Sequence, residues 1–270
     1  MVRPAALLFV LWQVAAAQAA APAVVQRYQA RALDPDSGRL LYTEQHLVRS
    51  PAPHDGASTA ARQRLVLYRC PDGQLFARKR VDYREDSPAA PAFSLEDARF
   101  GYREGVRADA GRWLAFLRRD AGSAPQTGVV EPGNRLVIDA GFDEFVRAQW
   151  NRLQAGDTVA LDFLVPSRLR TYGFTLRRVG AIELETGAAT RFRLSLGGLL
   201  GWFAPDITVT YRNADRRLLR FEGLTNIRAN RDDNVVARVE FATAPDALRG
   251  GLRSWDAALA EPLAACALGG

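Results

Sequence analysis

The chain has 270 residues, is 48% hydrophobic and 24% charged, and carries a formal net charge of +6. That much apolar sequence argues against a disordered chain, and arginines scattered along the chain lack the basic stripe of a nucleic-acid binder. The positive balance, in which Lys79 is the one lysine, leaves room for a weak attraction to an anionic membrane surface.

The first residues read as a secretory signal peptide over residues 1–19. Arg3 precedes an apolar run from Ala5 to Ala17, and Ala17-Gln18-Ala19 supplies a small-residue cleavage site. The run is short against the ~20 residues of a bilayer span. Cleavage and a periplasmic location are therefore expected, an uncleaved membrane anchor being the rival reading, with residues 20–270 as one secreted, β-rich domain. A subdivision near Asn134 is the alternative.

Apolar and polar residues then alternate with period two. Val159, Leu161, Phe163 and Val165 share one face; so do Tyr172, Phe174 and Leu176; Phe192, Leu194 and Leu196; Ile207, Val209 and Tyr211; and Val235, Ala237, Val239 and Phe241. Strands with one dry face and one wet face favour an antiparallel sheet. Turn-forming stretches separate Val24–Leu33 from Arg39–Val48, Gln63–Arg69 from Leu75–Tyr83, Arg99–Val106 from Trp113–Arg118, and Ile207–Arg212 from Leu218–Phe221. Their Pro, Asp, Asn and Gly suit reversals of the chain. The segments from Asp86 to Phe93 and from Asp120 to Asn134 read as loops.

One amphipathic helix is expected over Gly141–Gln154. Phe142, Phe145, Val146, Trp150 and Leu153 form an apolar stripe. Asp139 is placed to cap its start, and Gly156 to end it. A second, weaker helix near the C-terminus is limited by Pro262.

Cys70 and Cys266 are the candidate disulfide of an oxidising compartment; two buried thiols are the alternative. His46 and His54 read as surface residues. Glu44, Asp82, Asp97, Asp139 and Asp162 are available carboxylates, but no spacing pairs them across a cleft. Asn230 to Asn234 reads as a polar hairpin turn rather than a calcium loop. No metal site, cofactor or catalytic motif is expected.

The connection between Leu196 and Ile207 is unusually apolar for a loop. It holds Leu199, Leu200, Trp202 and Phe203 among glycines. It reads as a plug of the core, a lid over an apolar cavity, or a foot on a membrane. These four residues, with Phe142 and Trp150 of the helix and Phe163 and Phe174 of the strands, are the candidate ligand-binding set.

Tyr211, Arg217, Leu218, Leu219, Phe221, Gly223, Asn226 and Ile227, with the stretch from Asp139 to Arg147, resemble a family of uncharacterised proteobacterial periplasmic proteins. The pattern is also distantly similar to half-barrels of the lipoprotein-carrier type. That resemblance implies a concave apolar face that holds acyl chains, and no catalytic residue. The expected fold is mostly β: an antiparallel curled sheet or half-barrel with the helix on its concave face. The expected function is non-enzymatic binding of an apolar or amphipathic ligand, a lipid or a lipoprotein acyl chain. An envelope scaffold with a filled core, and an enzyme of unrecognised type, remain as alternatives. Oligomeric state is not readable from the sequence.

Overall fold

A computed structural model describes residues 23–51, 63–83, 87–109, 112–185, 187–197, 206–241 and 244–269. The signal-peptide segment, His54, and the apolar quartet Leu199, Leu200, Trp202 and Phe203 lie outside the described residues.

The first half is a meander: β1 (Ala23–Leu33), β2 (Leu40–Pro51), β3 (Gln63–Arg69), β4 (Leu75–Asp82), β5 (Ala92–Asp97), β6 (Tyr102–Asp109), β7 (Arg112–Arg118) and β8 (Gln126–Val130). Short β9 (Leu136–Ile138) leads into α1 (Gly141–Ala148) and α2 (Trp150–Gln154). A second meander follows: β10 (Val159–Val165), β11 (Arg170–Leu184), β12 (Gly187–Leu196), β13 (Ile207–Arg212), β14 (Leu218–Arg228) and β15 (Asn234–Glu240). The described chain ends with β16 (Asp246–Ala247), α3 (Gly251–Ala260) and an extended tail.

All these strands belong to one sheet, in the order β8 through β1, then β15 down to β9, with β16 added beside β1. The two meanders are joined where β1 pairs with β15. Pairing is antiparallel throughout except between β9 and β10. The chain passes Asn134 directly into β9 of the same sheet. The loop segments expected before Phe93 and Asn134 are shorter than read, because β5 begins at Ala92 and β8 occupies Gln126–Val130.

The sheet is curled but not closed. Gly128 of β8 abuts the turn before β11, where an added Cβ would lie 2.9 Å from the Leu169 carbonyl oxygen. Edge strand β8 meets the turn between β10 and β11 there by side-on contact, without strand pairing between β8 and β11. The period-two pattern holds well in β15: Val235, Ala237 and Val239 are buried, whereas Val236 is 44% exposed.

The helix expected over Gly141–Gln154 is interrupted at Gln149 and forms α1 and α2. Phe145, Val146, Trp150 and Leu153 pack on the concave face of the second meander, against Leu161, Leu176, Phe192, Leu194 and Val209. Gly156 ends α2 with φ of +97°. Its N–H donates to Leu153 O at 3.2 Å, and the Asp157 N–H donates to Arg152 O at 3.0 Å, a Schellman arrangement. The start departs from expectation: Ala140, not Asp139, occupies the N-cap, with no side-chain capping bond.

On the outside of β1 to β4, Trp255 and Ala258 of α3 cover Val25, Leu47, Leu65, Leu67 and Leu75. These strands are therefore buried on both faces. The tail continues along them, with the Ala264 N–H donating to Leu75 O and the Gly269 N–H to Leu41 O. Cys266 is bonded to Cys70, with Cα atoms 6.4 Å apart.

Candidate functional site

The curl encloses a cavity of about 510 Å³. Its wall is divided chemically along the order of the strands. The second meander supplies an apolar arc: Phe163, Phe174, Leu194, Ile207, Leu218 and Phe221. Phe163 and Phe174 meet edge to face, with centroids 6.0 Å apart. The first meander and the start of α1 supply a polar arc that includes Glu44, His46, Arg64, Lys79, Glu104 and Asp139.

Sheet register assembles the polar arc. Tyr28 of β1 lies opposite His46 of β2, which lies opposite Val66, then Lys79, then Leu95, then Glu104 of β6. Five pairings thus bring four polar side chains into one transverse row on the concave face. Glu44 stands two residues from His46 and therefore on the same face, in the next row. Arg64 stands one row away on the opposite side, facing Val48 and Val81.

Apart from Arg64, each of these groups is held by a specific contact. His46 Nε2 lies 2.8 Å from Glu44 Oε2, and its ring stacks on Tyr28 at 4.5 Å between centroids. Burial pushes the His46 pKa down, against the upward pull of Glu44. A neutral ring that donates Nε2–H to the carboxylate accounts for that contact. Lys79 Nζ donates to Asp139 Oδ1 at 2.9 Å and to Oδ2 at 3.1 Å, and Asn226 donates to the same Oδ1 at 2.9 Å. Burial opposes the Lys79 charge, yet Asp139, Glu44 and Glu104 together leave its pKa above the ordinary value. Tyr102 Oη donates to Glu104 Oε2 at 2.6 Å. Burial nevertheless pushes the Glu104 carboxyl up to about 7, with Asp139 adding to the rise.

Asp139 departs from its expected role for a local reason. Its backbone has φ of +42°, in the left-handed region that Asp tolerates better than most residues. The turn delivers its carboxylate to Lys79 and Asn226 rather than to the free N–H groups of α1. One turn into the helix, Asp143 Oδ2 takes Arg147 at 2.8 Å and stands 3.7 Å from Arg64.

Of the described ligand-binding candidates, Phe142, Phe163 and Phe174 line the cavity. Trp150 does not. It lies in the core, edge-on to Phe192 at 5.5 Å and Tyr211 at 6.2 Å, because its half of the helix faces the sheet rather than the open space. His46 is corrected more sharply: read as a surface residue, it is only 5% exposed. Asp162 is partly exposed and paired with Arg135 at 3.1 Å, away from the polar arc. Asn230 forms the expected polar turn, its Oδ1 accepting from the N–H groups of Asp232 and Asp233.

Lys79, Glu104 and Arg64 are not among the candidate site residues read from the sequence. The available signal was parity. Lys79 alternates with Ala77 and Val81, and Glu104 with Tyr102 and Val106, so both occupy positions that the strand pattern turns inward. A charge at an inward position marks a buried polar site more directly than any motif.

No protein-family model matches the chain, and no curated protein matches it. Among solved structures, it is similar to a β-barrel-like protein of domain of unknown function DUF1849 from Brucella abortus. The alignment has 10% identity and a TM-score of 0.47, and covers 85% of this chain and 100% of that one.

Proposed function

We propose that the protein is a non-enzymatic binder of an amphipathic molecule, a lipid or an acyl chain, carried inside the curled sheet and outside the cytoplasm. The carrying observation is the cavity of about 510 Å³, with an aromatic and aliphatic arc on one side and a buried polar arc on the other. This volume falls in the ~300–1,000 Å³ range of small-molecule sites, which pair apolar walls with a few placed polar groups. A hollow interior supports this reading over a scaffold with a filled core. The Cys70–Cys266 bond and the sequence over residues 1–19 support an oxidising, extracytoplasmic location. The positive net charge favours approach to anionic membranes.

Native mass spectrometry of protein purified without detergent tests the reading. A bound mass of one amphiphile per chain is expected, and it should be lost in Leu218→Trp, which fills the cavity. A ligand-free mass, together with no uptake of an added fluorescent fatty-acid probe, would overturn it.

One observation favours a second reading. A buried histidine held by a carboxylate at 2.8 Å beside a cavity is a general-base arrangement. On that reading, hydrolysis of a long-chain p-nitrophenyl ester would be measurable and would be lost in His46→Gln.

A further inference from the structure

Most charged groups on the polar arc are matched. Asp139 holds Lys79 at 2.9 Å, and Glu44 holds His46 at 2.8 Å. Each nitrogen of Arg147 is engaged, by Asp143 at 2.8 Å, Glu144 at 3.1 Å and the Arg216 carbonyl at 3.2 Å. Arg64 differs. Its contact with Asp143 is 3.7 Å, beyond hydrogen-bond distance, and the Asp143 oxygen it approaches is already taken by Arg147. Its Nε is buried without a partner. Its guanidinium lies 5.7 Å from the centre of the Tyr83 ring, a cation–π contact rather than a hydrogen bond.

A guanidinium presents five N–H donors in a planar fork and cannot shed its charge. Asp143 and Glu144 favour the charge of Arg64 through space, and Asp143 Oδ1 is itself a buried acceptor without a partner, yet among the described residues no hydrogen bond forms to Arg64. The natural complement of such a fork is a planar or tetrahedral oxyanion held by two parallel bonds. Arg64 has such an opening: its side chain is 14% exposed, and it lines the cavity. The excess of carboxylates around Lys79 does not occupy this position. Glu44 lies in the row beyond His46, so the His46–Lys79 row stands between it and Arg64. The apolar arc faces the same space.

We propose that the ligand is a single-chain amphiphile with an anionic head, a carboxylate or a phosphate monoester, seated on Arg64. Its tail lies along Phe163, Phe174, Ile207 and Leu218. This rests on the reading of the cavity as an amphiphile site and adds the charge of the head and the residue that selects it.

The test uses the full secreted chain and four dodecyl probes below their micellar concentrations: dodecanoate, monododecyl phosphate, dodecanol and dodecyltrimethylammonium. Calorimetric titration should show an anionic probe binding about ten- to hundredfold tighter than dodecanol, the range of one charge-assisted hydrogen-bonded contact. Whichever of dodecanoate and monododecyl phosphate is preferred names the head. Arg64→Gln should erase the preference, the anionic probes falling to the level of dodecanol. If all four probes bind alike, or the ammonium binds best, the anionic head is overturned and the amphiphile site stands. If none binds, both fall. The wild-type probe series decides the matter even if Arg64→Gln does not fold.

Discussion

The ammonium of Lys79 on β4 lies 2.9 Å from Oδ1 of Asp139, 60 residues further along the chain, in the turn that starts α1. The pair ties the first meander to the helix packed on the second. Both side chains are nearly buried, at 12% and 10% exposure. Removing one partner leaves an uncompensated charge in a poorly solvated site. Lys79→Met should therefore cost about 3–5 kcal/mol, and the double variant Lys79→Met/Asp139→Asn distinctly less. Urea unfolding of the single and double variants, with unchanged m-values, measures the difference.

Glu104 and His46 should give opposite slopes to stability against pH. Glu104 titrates at about 7 in the folded chain against an ordinary 4.5. The folded chain binds this proton more tightly, so the contribution of Glu104 is full below pH 4.5 and is lost as pH rises to about 7. The loss has an upper bound of ~3 kcal/mol. His46 is shifted down from 6.5, so the unfolded chain takes its proton first. Its contribution is present above pH 6.5 and lost as the pH falls below that value. Thermal melts from pH 4.5 to 7.5 should show Glu104→Gln flattening the decline towards neutral pH, and His46→Asn flattening the decline towards acid. Identical slopes in both variants would contradict this assignment.

The bond between Cys70 and Cys266 spans 196 residues. Confining a loop of that size in the unfolded chain is worth about 5 kcal/mol in the chain-entropy model, commonly less in practice. It also holds the tail on β2 and β4, where Ala264 and Gly269 make backbone bonds. Cys70→Ala/Cys266→Ala should lower the unfolding midpoint and raise amide exchange at Ala264 and Gly269. Reduction with dithiothreitol should reproduce both effects.

Trp150 and Phe174 separate stability from binding. Trp150 is 7% exposed and packed on Phe192 and Tyr211. Trp150→Ala should cost about 3–5 kcal/mol. Phe174 is partly buried and lines the cavity. Phe174→Ala should weaken uptake of a fatty-acid probe with a smaller loss of stability. Equal effects on both properties in both variants would remove the distinction.

Much of the sheet was legible in the alternation of residues such as Val235, Ala237 and Val239, because a strand half in water records its two faces in every second side chain. The hairpin over Gln63–Arg69 and Leu75–Tyr83 was legible for a similar reason, with Pro71, Asp72 and Gly73 naming the turn. Where α3 covers the outside of β1 to β4, the alternation disappears. Leu65, Val66, Leu67 and Tyr68 are all buried, and the run no longer says which side faces the cavity. The role of Asp139 was likewise invisible, since its carboxylate goes to Lys79 and Asn226, both distant in the chain.

The sequence by itself determined an antiparallel, hairpin-linked sheet with an amphipathic helix that must bury one side, because local periodicity and turn chemistry act over a few residues. Only the tertiary structure decided that the curled sheet surrounds a hollow rather than a filled core, and that His46, Lys79 and Glu104 stand in one row across it. Such a row is created by register, a sum of pairings among strands separated by loops, and no short stretch of sequence carries that sum. The same register gives buried charges their partners, and so makes polar residues stable at positions where the pattern alone calls for apolar ones.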